Sequence, residues 1–330
     1  MKGGILFYKM GEPQKRLNPK VESQVNRILL KEAIKLLLFI VMLLPEKVRR
    51  IRQYDHRTII ALCILRILLR KTYADYEIEM RTDIRICRAF GVKILPGKST
   101  IQRGMELLTI DLLWQINLLM LKDIMKNKID VLIDSSGIRI FARSIWFCLR
   151  IKKNISKRDC DKVHVAVCAD LLLVMNWRIT NGKRNDCPFF RILIAPIKLI
   201  GYVIADKGYL SRVNFQAALD KGGQGIIPFK KGKKKKSIRS AKGYPAWKFA
   251  HEFWTTLHGL YMSIYHRRSR IEAVFSALKK RYGDKLNCSS ASMRRKEMSL
   301  RIIAYNIRVL LYARYAKRKG MPLYVRVEKN

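Results

Sequence analysis

The chain has 330 residues, 49% of them hydrophobic, and carries 68 Lys+Arg against 25 Asp+Glu for a formal charge of +43. That apolar share is ample for a packed core and excludes wholesale disorder, and the length suits one large domain or two of ordinary size. Such a cation excess calls for a polyanion and favours nucleic acid; charge alone also admits an anionic membrane surface or ribosomal RNA, and it says nothing about chemistry.

Residues 1–20 are rich in Gly, Pro and Lys and read as a loose basic tail. Lys2, Lys9, Lys15 and Arg16 interrupt any apolar stretch there, so no secretory signal is visible. From Glu22 to Leu121 apolar residues recur at three- and four-residue intervals, as in Ile59, Leu62, Cys63, Leu65 and Leu69, and the segment reads as helical. Its greasiest run, Leu36 to Pro45, is ten residues long. A membrane span needs about 20, so this is a buried helix core and no membrane partner is expected. Leu95-Pro96-Gly97-Lys98-Ser99-Thr100 is a break, with Ser99 or Thr100 placed to cap the next helix.

The texture changes at Ile129. IDVLID (129–134) reads as a buried strand ending in a carboxylate, VHVAVCA (163–169) and LLLVMNWRIT (171–180) as two paired strands, and GYVIAD (201–206) as a strand that again ends in Asp. Residues 212–221 look helical, GIIPF (225–229) is a short strand, and the basic loop 230–243 follows. One helix is expected over 261–282, stopped by Gly283, and a last amphipathic helix over 299–317. Strands followed by strand–helix–strand and then helices describe an α/β fold, a mixed sheet with flanking helices, preceded by an all-α N-terminal domain. The expected division is tail 1–20, helical DNA-binding and dimerisation domain 21–122, catalytic domain 123–320 and tail 321–330. The seven cysteines show no C-x-x-C pair and the five histidines no ligand spacing with them, against a disulfide framework or zinc knuckle and for a reducing, cytoplasmic setting.

Phosphodiester chemistry assisted by metal needs hard oxygen ligands gathered at one point. Asp134 and Asp206 each follow an apolar strand, where ligands collect in α/β sheets. Singly, each reads more simply as a cap or turn residue; as a pair at equivalent strand ends they suggest a shared site. On one continuous helix, Tyr265, Arg268, Glu272 and Lys279 fall within an arc of roughly 60° at about 100° per residue. A solvated face with an ordinary Arg268–Glu272 ion pair explains that arc equally well.

Tyr265-x2-Arg268-x3-Glu272-x6-Lys279 resembles the Y-x2-R-x3-E-x6-K signature of bacterial and archaeal insertion-sequence DDE transposases. IDSSGIRI (133–140), ADKGY (205–209) and LPGKSTIQR (95–103) are similar to the same family. The resemblance implies an RNase H-like catalytic domain. It implies a triad of Asp134, Asp206 and Glu272 holding Mg²⁺ or Mn²⁺, as two ions, and end-DNA contacts from Tyr265, Arg268 and Lys279. Lys207, beside the second aspartate, and Lys230, Lys231 and Lys233 of the basic loop join the expected DNA contacts. Some relatives stack a tryptophan on a displaced base; Trp146, Trp177, Trp247 and Trp254 are the candidates.

Other features carry less. Thr180, Gly182 and Asp186 read as a turn, with a loop near the metals as the sharper alternative, and His164 as a satisfied core histidine. No G-x-x-x-x-G-K-[ST] occurs, so no nucleotide cofactor is expected. The expected protein is therefore a prokaryotic, nucleoid-associated DDE transposase that acts on double-stranded DNA, both terminal repeats and target, as a homodimer. A nuclease of the same fold without strand transfer, or a decayed DNA-binding relative, stays open.

Overall fold

The structure, a computed structural model, describes residues 15–44, 54–140, 160–229 and 243–326. The basic loop that carries Lys230, Lys231 and Lys233, together with Trp146 and Cys148, lies outside the described residues.

Strand β1 (Lys15–Leu17) leads into helix α1 (Pro19–Met42). Asn18 caps that helix by accepting from the Lys20 N–H at 3.1 Å, with Pro19 in the first turn where its missing N–H costs nothing. Helices α2 (His56–Leu68), α3 (Tyr73–Asp75), α4 (Ile84–Ala89), α5 (Lys98–Leu107) and α6 (Ile110–Leu121) follow. Neither Ser99 nor Thr100 caps α5. Gly97 holds that position and the Glu77 carboxylate, 21 residues back in the chain, accepts from the Lys98 N–H at 2.6 Å. No single described helix is long and apolar enough to cross a membrane; α5 and α6 pass on composition only as a pair bent by 91°.

The sheet is built from β2 (Ile129–Ile140), β3 (Cys160–Cys168), β4 (Val174–Asn181), β5 (Ile200–Ala205) and β6 (Gln224–Ile226), in the order β4-β3-β2-β5-β6. The β2–β3 and β3–β4 pairs are antiparallel, and β2–β5 and β5–β6 parallel. This is an RNase H-like mixed sheet. Helix α7 (Phe189–Ile194) precedes β5 and α8 (Arg212–Leu219) precedes β6. Helices α9 (Pro245–Thr256), α10 (His258–His266) and α11 (Arg270–Tyr282), the two-residue strand β7 (Lys285–Leu286), the long α12 (Ala291–Arg318) and β8 (Tyr324–Arg326) complete the chain.

Two expectations change. Strand β2 does not end at Asp134 but continues to Ile140, because β3 pairs with it through Arg139. The single helix expected over 261–282 is two, separated by a 3₁₀ turn at Arg267–Ser269. The β3–β4 connection, which lacks glycine, turns through Leu172 in the left-handed region at φ +58°, with its N–H bonded to Cys168 O at 2.8 Å.

The N-terminal helices share a core with the sheet. One cluster of buried apolar residues runs from Val21 through Val131 to Ala316. Buried polar groups pin the same junction: Asn306 Nδ2 donates to Asn117 Oδ1 at 2.8 Å and to Val174 O at 2.7 Å, and its Oδ1 accepts from the Val174 N–H. Both asparagines are fully buried, where an unmatched amide would be costly. The tails also pair: β1 and β8 form a two-stranded antiparallel sheet, and Asn18 Nδ2 donates to Pro322 O at 3.0 Å. Helix α11 ends at Gly283, at φ +88°, as its position in the sequence suggested.

Candidate active site

The site begins with strand register. In the parallel β2–β5 pair, Ile133 faces Ala205, and the next residues along are Asp134 and Asp206. The two carboxylates are therefore neighbours, Asp134 within β2 and Asp206 just past the end of β5. Beyond Ile133, among the described residues, this edge of β2 has no strand beside it until Arg139 meets Lys285 of β7. The gap between those pairings is where the 3₁₀ turn and α11 approach.

Residues at even positions of β2 share one face, since successive side chains alternate. Three of them are held from the helical side. Arg267 Nη1 donates to Asp130 Oδ2 at 2.7 Å, Arg268 Nη1 to Asp134 Oδ2 at 2.8 Å, and Lys279 Nζ to Ser136 Oγ at 2.8 Å. The other Asp130 oxygen accepts from the Tyr202 N–H at 2.8 Å, where the β2–β5 register shifts. Asp130 and Arg267 thus tie the sheet to the turn, one residue away from the Arg268–Asp134 contact.

Tyr265 Oη lies 3.4 Å from Asp206 Oδ1. The Asp206 side chain makes no capping bond to the 3₁₀ turn it precedes, so the simple reading of Asp206 as a cap does not account for its carboxylate. Lys207, next to it, is exposed. Glu272 sits 3.8 Å from Arg268 Nη2, with its side chain 68% exposed. Arg268 therefore bridges Asp134 and Glu272. The 3₁₀ break removes the single straight face expected for Tyr265, Arg268, Glu272 and Lys279. The sheet gathers Tyr265, Arg268 and Lys279, while Glu272 meets Arg268 from an exposed position.

Burial pushes the Asp134 carboxyl above the usual carboxylate range; the Ser135 N–H and Arg268 oppose this, and the Asp206 and Asp186 charges add to it. Burial likewise raises the Tyr265 phenol, with Arg268 opposing and Asp206 reinforcing. The donors are hard oxygens suited to Mg²⁺ or Mn²⁺. Among the described residues, however, no group of three or more His, Cys, Asp or Glu side chains is gathered closely enough to hold an ion. Asp134 and Asp206 already stand together, and Glu272 would have to turn inward from its exposed position to join them.

Asp186 lies apart from this face. Its carboxylate meets Ser135 Oγ at 3.0 Å, Lys162 Nζ at 2.7 Å and His164 Nδ1 at 3.2 Å. Burial would raise its pKa, but the bonds from His164, Lys162 and Ser135 outweigh that and hold it at about 2. His164 is fully buried, stacks on Phe189 and bonds Thr180 Oγ1 through Nε2 at 2.9 Å. The 180–186 loop is a clasp on the opposite face of β2. Of the tryptophans, Trp177 is buried with Nε1 bonded to Ser299 and is unavailable for stacking; Trp247 and Trp254 pack with Phe229.

Sequence reasoning missed Asp130, Arg267 and Ser136. The alternation 130–132–134–136 along one strand was the available signal, and a charged Asp130 within an apolar run was its visible part.

Paired carboxylates at the parallel edge of an RNase H-like sheet, one met by Arg268 and the other by the Tyr265 phenol, suit metal-assisted phosphodiester chemistry. The chain belongs to the transposase DDE domain family, which matches residues 126–307. That family comprises DNA-cleaving and strand-transferring enzymes that generally depend on divalent metal, and membership makes this a DNA-binding transposase. Curated proteins give no match. Among solved structures, the cryo-EM structure of a piggyBac transposase synaptic complex with hairpin DNA aligns at TM-score 0.45 and 11% identity, over 89% of this chain and 74% of that one, a likeness too distant to carry any argument.

Proposed function

We propose that this transposase cleaves the DNA at the ends of its own element and joins the freed 3′ end to target DNA, with Asp134, Asp206 and Glu272 as the metal-holding triad. The observation that carries the reading is the Ile133–Ala205 register, which sets Asp134 beside Asp206 directly under Arg268 and Tyr265. Two divalent ions held there supply polarisation of the phosphate and activation of water or a sugar hydroxyl.

The chain's own residues do the rest. Arg268 and Lys279 neutralise phosphate charge, with Arg268 exchanging its carboxylate partners for phosphate oxygens when DNA and metal enter. Tyr265 positions the end strand through its phenol. Lys207 and the basic loop bearing Lys230, Lys231 and Lys233 contact the flanking backbone. One such site serves an element with two ends, so a homodimer on DNA is the working unit, at the nucleoid of a prokaryotic cell.

The test is cleavage and strand transfer of labelled DNA carrying the gene's flanking sequences, with Mg²⁺ or Mn²⁺, comparing wild type with Glu272→Gln. Metal-dependent cutting and joining lost in the variant supports the triad. Cutting without joining of a pre-cut 3′ end points to a nuclease, and binding with no chemistry in either protein to a decayed copy.

A further inference from the structure

A cleft of about 630 Å³ opens where the end of α2 and the following turn meet the C-terminal end of α11 and the start of α12. None of the triad residues lines it. Its walls carry Arg66, Arg70, Lys71, Lys280, Arg281 and Arg301 against one carboxylate, Glu297.

That carboxylate is fully engaged. Glu297 is 5% exposed and binds Arg301 Nη2 at 2.6 Å and the N–H groups of Asn287 and Cys288. Lys71 pairs with Glu79. Arg66, Arg70, Lys280 and Arg281 form no ion pair with any described residue. Burial, and then the Arg308 and Arg70 guanidiniums, push the Arg281 pKa down, as expected of cations crowded together without an anion.

Two further observations point to a missing ligand. Arg66 Nε and Tyr282 Oη are buried polar atoms without a hydrogen-bond partner, both on side chains that line the cleft, and Arg66 is only 7% exposed. Arg70 closes α2 in the left-handed conformation at φ +62°, a position that favours glycine. Keeping a side chain there costs about 1 kcal/mol or more, which is compensated if its charge is needed.

We propose that this cleft is a binding site for a phosphate group of the DNA backbone, distinct from the site of the reacting phosphate. The inference rests on the DNA-transposase reading above. Along α11, Lys279 reaches Ser136 beside the aspartates, while the next residue, Lys280, lines the cleft. Ten residues of helix from Glu272 to Tyr282 span about 15 Å, or about four base pairs of duplex at 3.4 Å each. The cleft thus grips backbone about four base pairs from the reacting bond and fixes the register of the DNA on the enzyme.

The test is the salt dependence of binding to a labelled flank duplex, by fluorescence anisotropy over roughly 50 to 200 mM salt. Wild type is compared with Arg70→Gly/Lys280→Gln and with Lys280→Gln alone. The double variant should flatten the slope of log affinity against log salt by about 0.9, the share of one phosphate, and the single by less. Arg70→Gly relieves the backbone strain, so the melting temperature should not fall and a lost slope cannot be ascribed to unfolding. An unchanged slope overturns the proposal. So does stabilisation of wild type, but not of the double variant, by inorganic pyrophosphate with the DNA slope unaltered, which would mark a site for a soluble anion. Binding is read in EDTA, where metal-dependent cutting cannot occur, so failure of the catalytic reading leaves this result legible.

Discussion

Arg268 and Asp134, separated by 134 positions in the chain, meet at 2.8 Å between Nη1 and Oδ2 at the gap in the sheet edge. The contact places a fixed cation on a carboxylate proposed to hold metal. Arg268 and a divalent ion then compete for the same oxygens.

Replacing Arg268 by Ala should therefore do two things in opposite directions. The rate of end cleavage should fall roughly 100-fold, as when one transition-state donor is removed. Mn²⁺ binding in the absence of DNA, read by electron paramagnetic resonance, should tighten, because a competing positive charge has gone. Weaker Mn²⁺ binding in the variant would show that Arg268 organises the acids rather than competing for them.

Gly201 decides whether β5 can lie in register with β2. A Cβ there would fall 2.2 Å from Asp130 Oδ1, an oxygen already fixed by the Tyr202 N–H. Gly201→Ala should cost about 1–3 kcal/mol in a urea titration and reduce cleavage by displacing Asp206. Adding Asp130→Ala should return part of that loss, so the two changes are non-additive. Strict additivity would place the clash elsewhere.

Asn306 holds α12, α6 and β4 together through three buried bonds. Asn306→Leu leaves the Val174 N–H and Asn117 Oδ1 without partners and should destabilise by about 2–4 kcal/mol. Loss of the helical half and the sheet in a single transition, seen by tryptophan fluorescence and circular dichroism, is the expected form. Two separated transitions would mean that the halves unfold independently.

Asp186 gives a pH signature. Its folded pKa of about 2 lies below the ordinary value of 3.8, so the folded form favours the carboxylate. The stabilisation is present above pH 4 and is lost as pH falls toward 2, and it amounts to something on the order of 2 kcal/mol. Asp186→Asn should lower stability by about that amount at neutral pH and by progressively less toward pH 2. A constant deficit across that window would mean that the clasp works by shape and not by charge.

Much of the site was legible as spacing. Two apolar runs that end in aspartate suggest a shared site, and the aspartates stand side by side; the spacing of Tyr265, Arg268, Glu272 and Lys279 points to metal-assisted chemistry on DNA only through the resemblance to DDE transposases. The reason offered for the helical residues was incomplete. A 3₁₀ turn interrupts the single helix face expected for them; Asp134 and Ser136 draw in Arg268 and Lys279, Tyr265 meets Asp206, and Glu272 stays exposed beside Arg268. Helical periodicity is local and survives in the sequence; a three-residue tightening driven by bonds to a strand over 100 positions away leaves no local trace.

What the amino-acid order determined by itself was the set of elements and the kinds of group they carry. Apolar alternation set the strands, Gly283 stopped a helix, and the cation excess called for a polyanion. What only the tertiary structure decided was adjacency. The β2–β5 register depends on Asp130 finding the Tyr202 N–H beside a residue with no side chain, the anchoring of α12 on Asn117, and the basic cleft on α2 closing against α11. Each is a match between groups far apart in the chain. Its energy exists only once both partners are buried together, so neither segment alone encodes it.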